Sequence, residues 1–238
     1  VPIGAAVTDG YNAGHGLPFD SEGMKERYPG VFFSQFTGAE LVADKWNLSR
    51  EDLDNFALES HQKAAHATES KYFDREILPV EGKNAEGIHD LVLADEGIRF
   101  DASIDKLAGL KPVTEGGVIT AGNASQITDG AAAVMICNDA GLKKIQSNPR
   151  AEIVSISVVG DDPVFMLTGP IPASFKALEA ANLSIDDMDL YEVNEAFAPV
   201  PLAWAKDLKA DKLKLNVNGG AMALGPVSYT HLRAHETS

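Results

Sequence analysis

Three kinds of side chain in this sequence could do chemistry: an amide, a thiol and a pair of imidazoles. Asn194 opens the stretch Asn-Glu-Ala-Phe-Ala, where a predicted strand meets a predicted helix, and side chains at such junctions meet ligands in α/β proteins. The local pattern alone favours Asn194 as the N-cap of that helix. Cys137 could be a nucleophile, but its apolar neighbours predict a buried, inert thiol. His231 and His235 have the i, i+4 spacing of a metal site, but no third ligand is evident, so we predict no metal.

Two stretches are dense in small residues. Asn-Val-Asn-Gly-Gly (216–220) follows a predicted strand and, taken alone, indicates a tight turn. Residues 120–133 read Thr-Ala-Gly-Asn-Ala-Ser-Gln-Ile-Thr-Asp-Gly-Ala-Ala-Ala. Small residues at this density indicate close backbone packing or the approach of the backbone to a ligand. Upstream, Arg99 is either a surface side chain or a phosphate and adenine contact, since a guanidinium suits both roles.

Taken together, the segments 192–198, 216–224 and 120–133 resemble the thiolases, the enzymes that make or cleave 3-oxoacyl-CoA. A fourth block, Met-Leu-Thr-Gly-Pro-Ile-Pro-Ala (166–173), is similar to a family segment to which we assign a structural role. The resemblance runs from about residue 1 to Gly225. It implies an α/β fold of the layered αβαβα thiolase type, incomplete here, with an inserted loop domain.

The resemblance also implies a reaction and a role for four residues. In thiolases an acyl group passes from a 3-oxoacyl-CoA to a cysteine and then to free CoA, which splits a difficult cleavage into two acyl transfers. The matching asparagine, here Asn194, holds a water that helps to form an oxyanion hole for the thioester oxygen. Ala121 and Ser125 match contacts to the pantetheine arm of CoA, and Arg99 matches an arginine near its nucleotide end. CoA is then a substrate, and no permanently bound cofactor is expected.

The chain departs from the thiolase pattern at its reactive groups. In the family, the segment after 216–224 continues into Gly-His-Pro, whose His is a catalytic base, whereas here Gly225 is followed directly by Pro226. Neither the turn that bears the nucleophilic Cys nor the second catalytic Cys is present. We therefore expect this chain to be an inactive internal fragment, and residues 227–238 to be a tail unrelated to the family.

The elements that must position these residues change character along the chain. Residues 1–34 have no sustained period, and Ser49 with Asp52 forms a capping box that predicts a helix with Leu53, Phe56, Ala57, Ser60, Ala64 and Ala67 on one face. Residues 151–159, 190–193 and 215–217 are predicted strands, and 75–80 and 90–94 are predicted strands or extended segments. Residues 118–120 are a short β-branched run, and 38–46, 173–181 and 195–208 are predicted helices. We expect a CoA-binding loop domain over 1–127, the end of the N-terminal thiolase domain over 128–149, and the start of the C-terminal domain over 150–226.

Composition limits the partners of the protein. The 238 residues carry 35 acidic and 20 basic side chains, and the formal charge of −15 disfavours nucleic acid and anionic lipid. The single cysteine excludes an intrachain disulfide and favours a cytoplasmic location. No apolar run is long enough to cross a membrane. By family resemblance we expect acyl-CoA and CoA as partners, and a homodimer or homotetramer at full length.

Two other classes of protein stay open from the sequence. A non-catalytic relative that binds a CoA thioester or a lipid would lack catalytic residues without being a fragment. A condensing synthase of the wider thiolase-like superfamily is the other alternative, and the Asn-Glu-Ala-Phe-Ala stretch argues against it.

Overall fold

One long helix, Arg50–Glu69, contributes a buried face to the core. The computed structural model describes residues 11–16, 19–83, 87, 89–128, 130–146 and 148–225. In chain order its elements are α1 (Glu22–Arg27), α2 (Gln35–Lys45), α3 (Arg50–Glu69), β1 (Val80–Lys83), β2 (His89–Val92), α4 (Ile104–Ala108), α5 (Asp139–Ile145), α6 (Pro170–Ala181), α7 (Pro199–Leu208) and α8 (Ala221–Leu224). Single turns of 3-10 helix lie at Ile185–Asp187 and Lys212–Lys214. The expected tail, 227–238, lies outside the described residues, as do His231 and His235.

The start of α3 confirms the capping box. The backbone N–H of Asp52 donates to Ser49 Oγ at 3.1 Å, and the carboxylate of Asp52 accepts from the N–H of Ser49 at 2.8 Å. The hydroxyl of Ser49 also donates to this carboxylate and holds the pKa of Asp52 below its usual value. The predicted apolar face is buried as expected: Leu53, Phe56, Ala57, Ser60, Ala64 and Ala67.

The core forms where α3 and α2 meet the C-terminal part of the chain. Helix α7 is buried on every side except at Lys206 and Asp207, which is the pattern of an interior helix. It packs on α6, where Trp204 Nε1 donates to Ser174 Oγ at 2.8 Å, and on α2. Helix α8 packs on α3. The two ends of the described chain therefore share one core.

Strand pairing is sparser than the sequence predicts. Strands β1 and β2 form an antiparallel pair, with Val80 opposite Val92. The predicted strands at 190–193 and 215–217 meet only in a parallel bridge between Tyr191 and Leu215. Residues 151–159 are predicted to form a strand but pair with no strand among the described residues, so that assignment is wrong. Alternating apolar and polar residues indicate that a segment has two different faces, whereas a β-strand also needs a neighbouring strand whose backbone forms hydrogen bonds with it.

Two further local predictions are corrected by the structure. Helix α7 begins at Pro199 and not at residue 195, because a proline is preferred at the first helical position, where its missing N–H costs nothing. Cys137 is exposed and not buried. The segment around it makes no strand pairing within the described ranges, and its neighbours Met135 and Ile136 are exposed as well.

No helix among the described residues is long and apolar enough to cross a membrane. In the same part of the chain, no three His, Cys, Asp or Glu side chains cluster in a way that could hold a metal ion.

Candidate functional site

The asparagine segment, residues 192–198, is held between two other parts of the chain. On one side Tyr191 donates to the C=O of Lys214 and accepts from the N–H of Asn216, both at 2.9 Å. On the other side the N–H of Ser125 donates to the C=O of Ala196 at 2.9 Å, and Ala124 is bridged to Phe197. The three thiolase-like stretches of the sequence are therefore neighbours in space.

Asn194 is not a helix cap. The N-cap of α7 is Ala198, four residues further on, so the structural alternative for Asn194 is wrong. Its Oδ1 atom is buried and accepts no hydrogen bond from any described residue. An unsatisfied buried acceptor costs about 1–3 kcal/mol, and native proteins rarely keep one without a water, an ion or a function.

Asn194 lines a cleft of about 450 Å³. The glycine turn, residues 216–220, forms one wall through Asn216, Asn218, Gly219 and Gly220. The other walls are largely apolar and include Leu178, Met188, Tyr191 and Trp204. A polar residue, Asn194, thus lines a mostly apolar recess together with the glycine turn, which suits a small polar group at the end of an apolar or thin ligand.

The glycine turn is tight, as the sequence predicts, and it also faces a ligand-sized space. Gly219 has φ of +82° and donates to the C=O of Asn216 at 3.0 Å. A Cβ on Gly219 would lie 2.6 Å from the carbonyl oxygen of Ser60, so neither the backbone angle nor the space permits a side chain.

Two carboxyl groups in this region escaped the sequence prediction. Glu192 lines the cleft, and burial, with the charge of Glu195 nearby, raises its pKa to about 8 despite the opposing effect of Lys63. Glu195 is buried, and loss of solvation raises its pKa too, against the hydrogen bonds that favour its charged form. Both acids lie in a segment that also contains apolar residues, but the burial of Glu195 depends on contacts with α3 and α8, which the sequence does not reveal.

The residues expected to bind CoA lie apart from the cleft. Arg99 is exposed, and its guanidinium donates to Gln126 Oε1 at 3.3 Å. Gln126 in turn donates to the C=O groups of Gly97 and Met222 at 2.7 and 2.8 Å. Ser125, next to Gln126, is half-buried, whereas Ala121 is exposed. Arg99 and Ser125 therefore share a neighbourhood, and neither they nor Ala121 line the cleft.

His61 was also missed by the sequence analysis. It is buried on α3, and its Nδ1 accepts from the backbone N–H of Arg99 at 3.1 Å. Burial and the charge of Arg99 lower the pKa of this imidazole, so it stays neutral and keeps Nδ1 free to accept. It thereby fixes the segment that bears Arg99.

Family models for two thiolase domains match nearly the whole chain. The N-terminal domain of thiolase matches residues 20–140 and the C-terminal domain matches 147–237. The chain belongs to the thiolase family. Its α/β fold is that of thiolases, since a crystal structure of the Bacillus anthracis acetyl-CoA acetyltransferase superposes with a TM-score of 0.82 at 40% identity, over 88% of this chain and 53% of that one.

Other relatives agree with this assignment. The steroid 3-ketoacyl-CoA thiolase of Mycobacterium tuberculosis is 47% identical over 226 residues, which cover 94% of this chain and 54% of the relative. Human mitochondrial 3-ketoacyl-CoA thiolase, in a crystal structure with CoA, is 43% identical with a TM-score of 0.78, over 84% of this chain and 51% of that one. This thiolase-family chain thus spans about half the length of the curated relatives that it matches.

Proposed function

We propose that this chain forms the thioester-oxygen site of an enzyme that transfers an acyl group between a 3-oxoacyl-CoA and CoA. The observation that supports this function is the buried Oδ1 of Asn194, a residue that lines the cleft, because this atom has no hydrogen-bond partner among the described residues. Such an atom accepts one hydrogen from a water and leaves the second hydrogen of that water to donate to the substrate. Asn194 is thus a water-holding catalytic residue.

The expected gain from this water is electrostatic. Negative charge develops fully on the thioester oxygen only in the transition state, so a donor fixed in advance lowers the barrier more than it strengthens substrate binding. A single donor of this kind contributes about 3–4 kcal/mol. Apolar walls around the cleft increase the effect, since few solvent dipoles compete.

For CoA we propose a site that includes Arg99, Ser125 and Ala121. The supporting observations are the exposed guanidinium of Arg99, its contact with Gln126 next to Ser125, and the small residues of the adjoining turn. A planar guanidinium can stack on adenine and bind phosphate, and small side chains leave room for the pantetheine arm. We propose no permanently bound cofactor and no metal, and a cytoplasmic homodimer or homotetramer for the longer enzyme.

The 238-residue chain alone is proposed to be inactive in thiolysis. Its only thiol, that of Cys137, is exposed and does not line the cleft, and Pro226 follows Gly225 without the expected histidine. A non-catalytic protein that binds a CoA thioester or a lipid is the second candidate. It is favoured by the same cleft, which has largely apolar walls and no cysteine among its lining residues.

Asn194→Ala tests the proposed role in a full-length enzyme in which the histidine and both cysteines are restored. We expect kcat to fall about 10²- to 10³-fold with little change in KM, because the water acts in the transition state. Asn55→Ala, an exposed change on α3, is the matched control. Unchanged kcat in Asn194→Ala would remove this residue from the reaction, and binding of acetyl-CoA without any turnover would favour the non-catalytic candidate.

A further inference from the structure

Glu195 is a buried acid without an ion-pair partner in the described part of the chain. Its exposure is 1%, and it forms no salt bridge there. Lys63 acts on it electrostatically, but the Lys63 ammonium donates its hydrogen bond to the C=O of Leu215 at 3.0 Å. A buried carboxyl in this state is costly unless neutral donors satisfy its oxygens.

Three donors from three separate segments satisfy it. Ser60 on α3 donates its hydroxyl to Oε2 at 2.6 Å. Asn216, at the start of the glycine turn, donates its side-chain amide to Oε1 at 2.9 Å. The backbone N–H of Met222 in α8 donates to Oε2 at 3.2 Å. Each of these donors lies outside the asparagine segment, so the carboxyl joins that segment to all three.

The same contacts extend to the glycine turn. The N–H of Gly220 donates to Ser60 Oγ at 3.1 Å, so one hydroxyl connects the turn to the carboxyl. A Cβ on Gly220 would lie 2.3 Å from Glu195 Cδ, which shows how closely the turn approaches the acid. Asn216 also bonds both backbone groups of Val193 at 2.9 Å, which fixes the turn beside the residue that precedes Asn194.

We infer that Glu195 is a positioning residue, which sets the glycine turn and the start of α8 against the asparagine segment. The inference deepens the proposed function and rests on it, because the position it controls is that of the Asn194 side chain relative to the opposite wall of the cleft. Position matters there since a displacement of about 1 Å can cost about 10²-fold in rate.

The role requires an acceptor with two free oxygens. A glutamine of the same shape keeps one oxygen. Its NH₂ group then faces either the side-chain amide of Asn216 or, in the other orientation, the Ser60 hydroxyl and the N–H of Met222, so one N–H must face another. Glu195→Gln therefore preserves volume while it removes an acceptor. Asp54→Asn is the matched control, because Asp54 is also 1% exposed and lies elsewhere, on α3. Its carboxylate accepts hydrogen bonds from Arg50 and Asn123.

Site-resolved amide exchange and NMR of the 238-residue chain test the inference. In Glu195→Gln we expect amide exchange to accelerate about 10- to 100-fold at two residues relative to the amide of Trp204 in α7. Met222 loses the Glu195 oxygen that accepts its N–H, and the acceptor of the Gly220 N–H, Ser60 Oγ, loses its own partner. The side-chain NH₂ resonances of Asn194 should shift in the same variant. Asp54→Asn should change neither the relative exchange nor those resonances.

Ser60→Ala supplies a second, milder test in case Glu195→Gln does not fold. This variant removes the connection to Gly220 but keeps the carboxyl, so exchange should accelerate at Gly220 and stay slow at Met222. Equal changes at both amides and at Trp204, or unmoved Asn194 resonances in every variant, would overturn the positioning role.

Titration of the wild-type chain with acetyl-CoA tests the proposed function independently. If acetyl-CoA does not shift the Asn194 resonances while amide exchange in the variants changes as expected, the proposed function is wrong and the positioning role of Glu195 is retained.

Discussion

Glu192 offers a direct test of the electrostatics of the cleft. Burial and the neighbouring Glu195 raise its pKa from 4.5 to about 8. The folded chain therefore binds this proton more tightly than the unfolded chain does. The contribution of protonated Glu192 to the stability of the fold is fully present below about pH 4.5 and is lost as the pH rises through about 8. Glu192→Gln removes the titration and keeps the shape of the side chain.

The size of the effect follows from the pKa difference. A difference of about 3.5 corresponds to about 5 kcal/mol at 1.36 kcal/mol for each tenfold step. Because Glu192 is only half-buried and solvent screens its charge, we expect about 2 kcal/mol. Relative to the wild type, the free energy of unfolding of Glu192→Gln should therefore increase by about 2 kcal/mol as the pH rises from 5 to 8. At pH 5 the two proteins should differ little.

Urea unfolding followed by tryptophan fluorescence measures this quantity, since Trp204 is buried in the core. The free energy of unfolding of both proteins would be compared at pH 5, 6, 7 and 8. Glu152→Gln, an exposed change of the same type, is the control for the removal of one charge. Parallel pH profiles for Glu192→Gln and the wild type would refute the reasoning, as would a Glu192→Gln variant that is less stable at pH 8 than at pH 5 relative to the wild type.

Three further outcomes are expected. Ser49→Ala should lower the free energy of unfolding by about 1 kcal/mol through loss of the α3 cap, whereas Ser70→Ala at the other end of α3 should change it little; equal losses would contradict the capping argument. Arg99→Ala should weaken binding of CoA to the chain about 10-fold in calorimetry, with Arg75→Ala as control, and an unchanged Kd would leave Arg99 a surface residue. The purified 238-residue chain should not cleave acetoacetyl-CoA above a buffer blank, because its single cysteine lies outside the cleft and Pro226 follows Gly225 directly; measurable thiolysis would contradict this.

Local features were the most predictable from sequence. The capping box of Ser49 and the buried face of α3 follow from spacing along one helix, and the structure confirms both. The thiolase family was recognisable because its segments are short, contiguous and rich in asparagine and glycine. The tight turn at Gly219 follows from residue type alone, since a positive φ favours glycine.

The errors arise where a property depends on distant contacts. The helical pattern directly after Asn194 predicts a helix from residue 195, whereas α7 begins at Pro199. Asn194 therefore does not cap the helix and instead lines the cleft. Residues 151–159 alternate like a strand, yet Ser155 and Ser157 donate their hydroxyls to the C=O groups of Ala177 and Ala173 in α6. The environment of Glu195 could not be predicted, because its partners lie 21 to 135 positions away.

The same long separations bear on how the chain folds as it leaves the ribosome. Trp46 meets Asp207 across 161 positions, and Lys63 meets Leu215 across 152. At about 5–20 residues per second, the apolar face of α3 emerges about 10–30 s before the residues that cover it. During this interval the nascent chain exposes Leu53 and Phe56, which makes it a ready client for a chaperone that holds apolar helices.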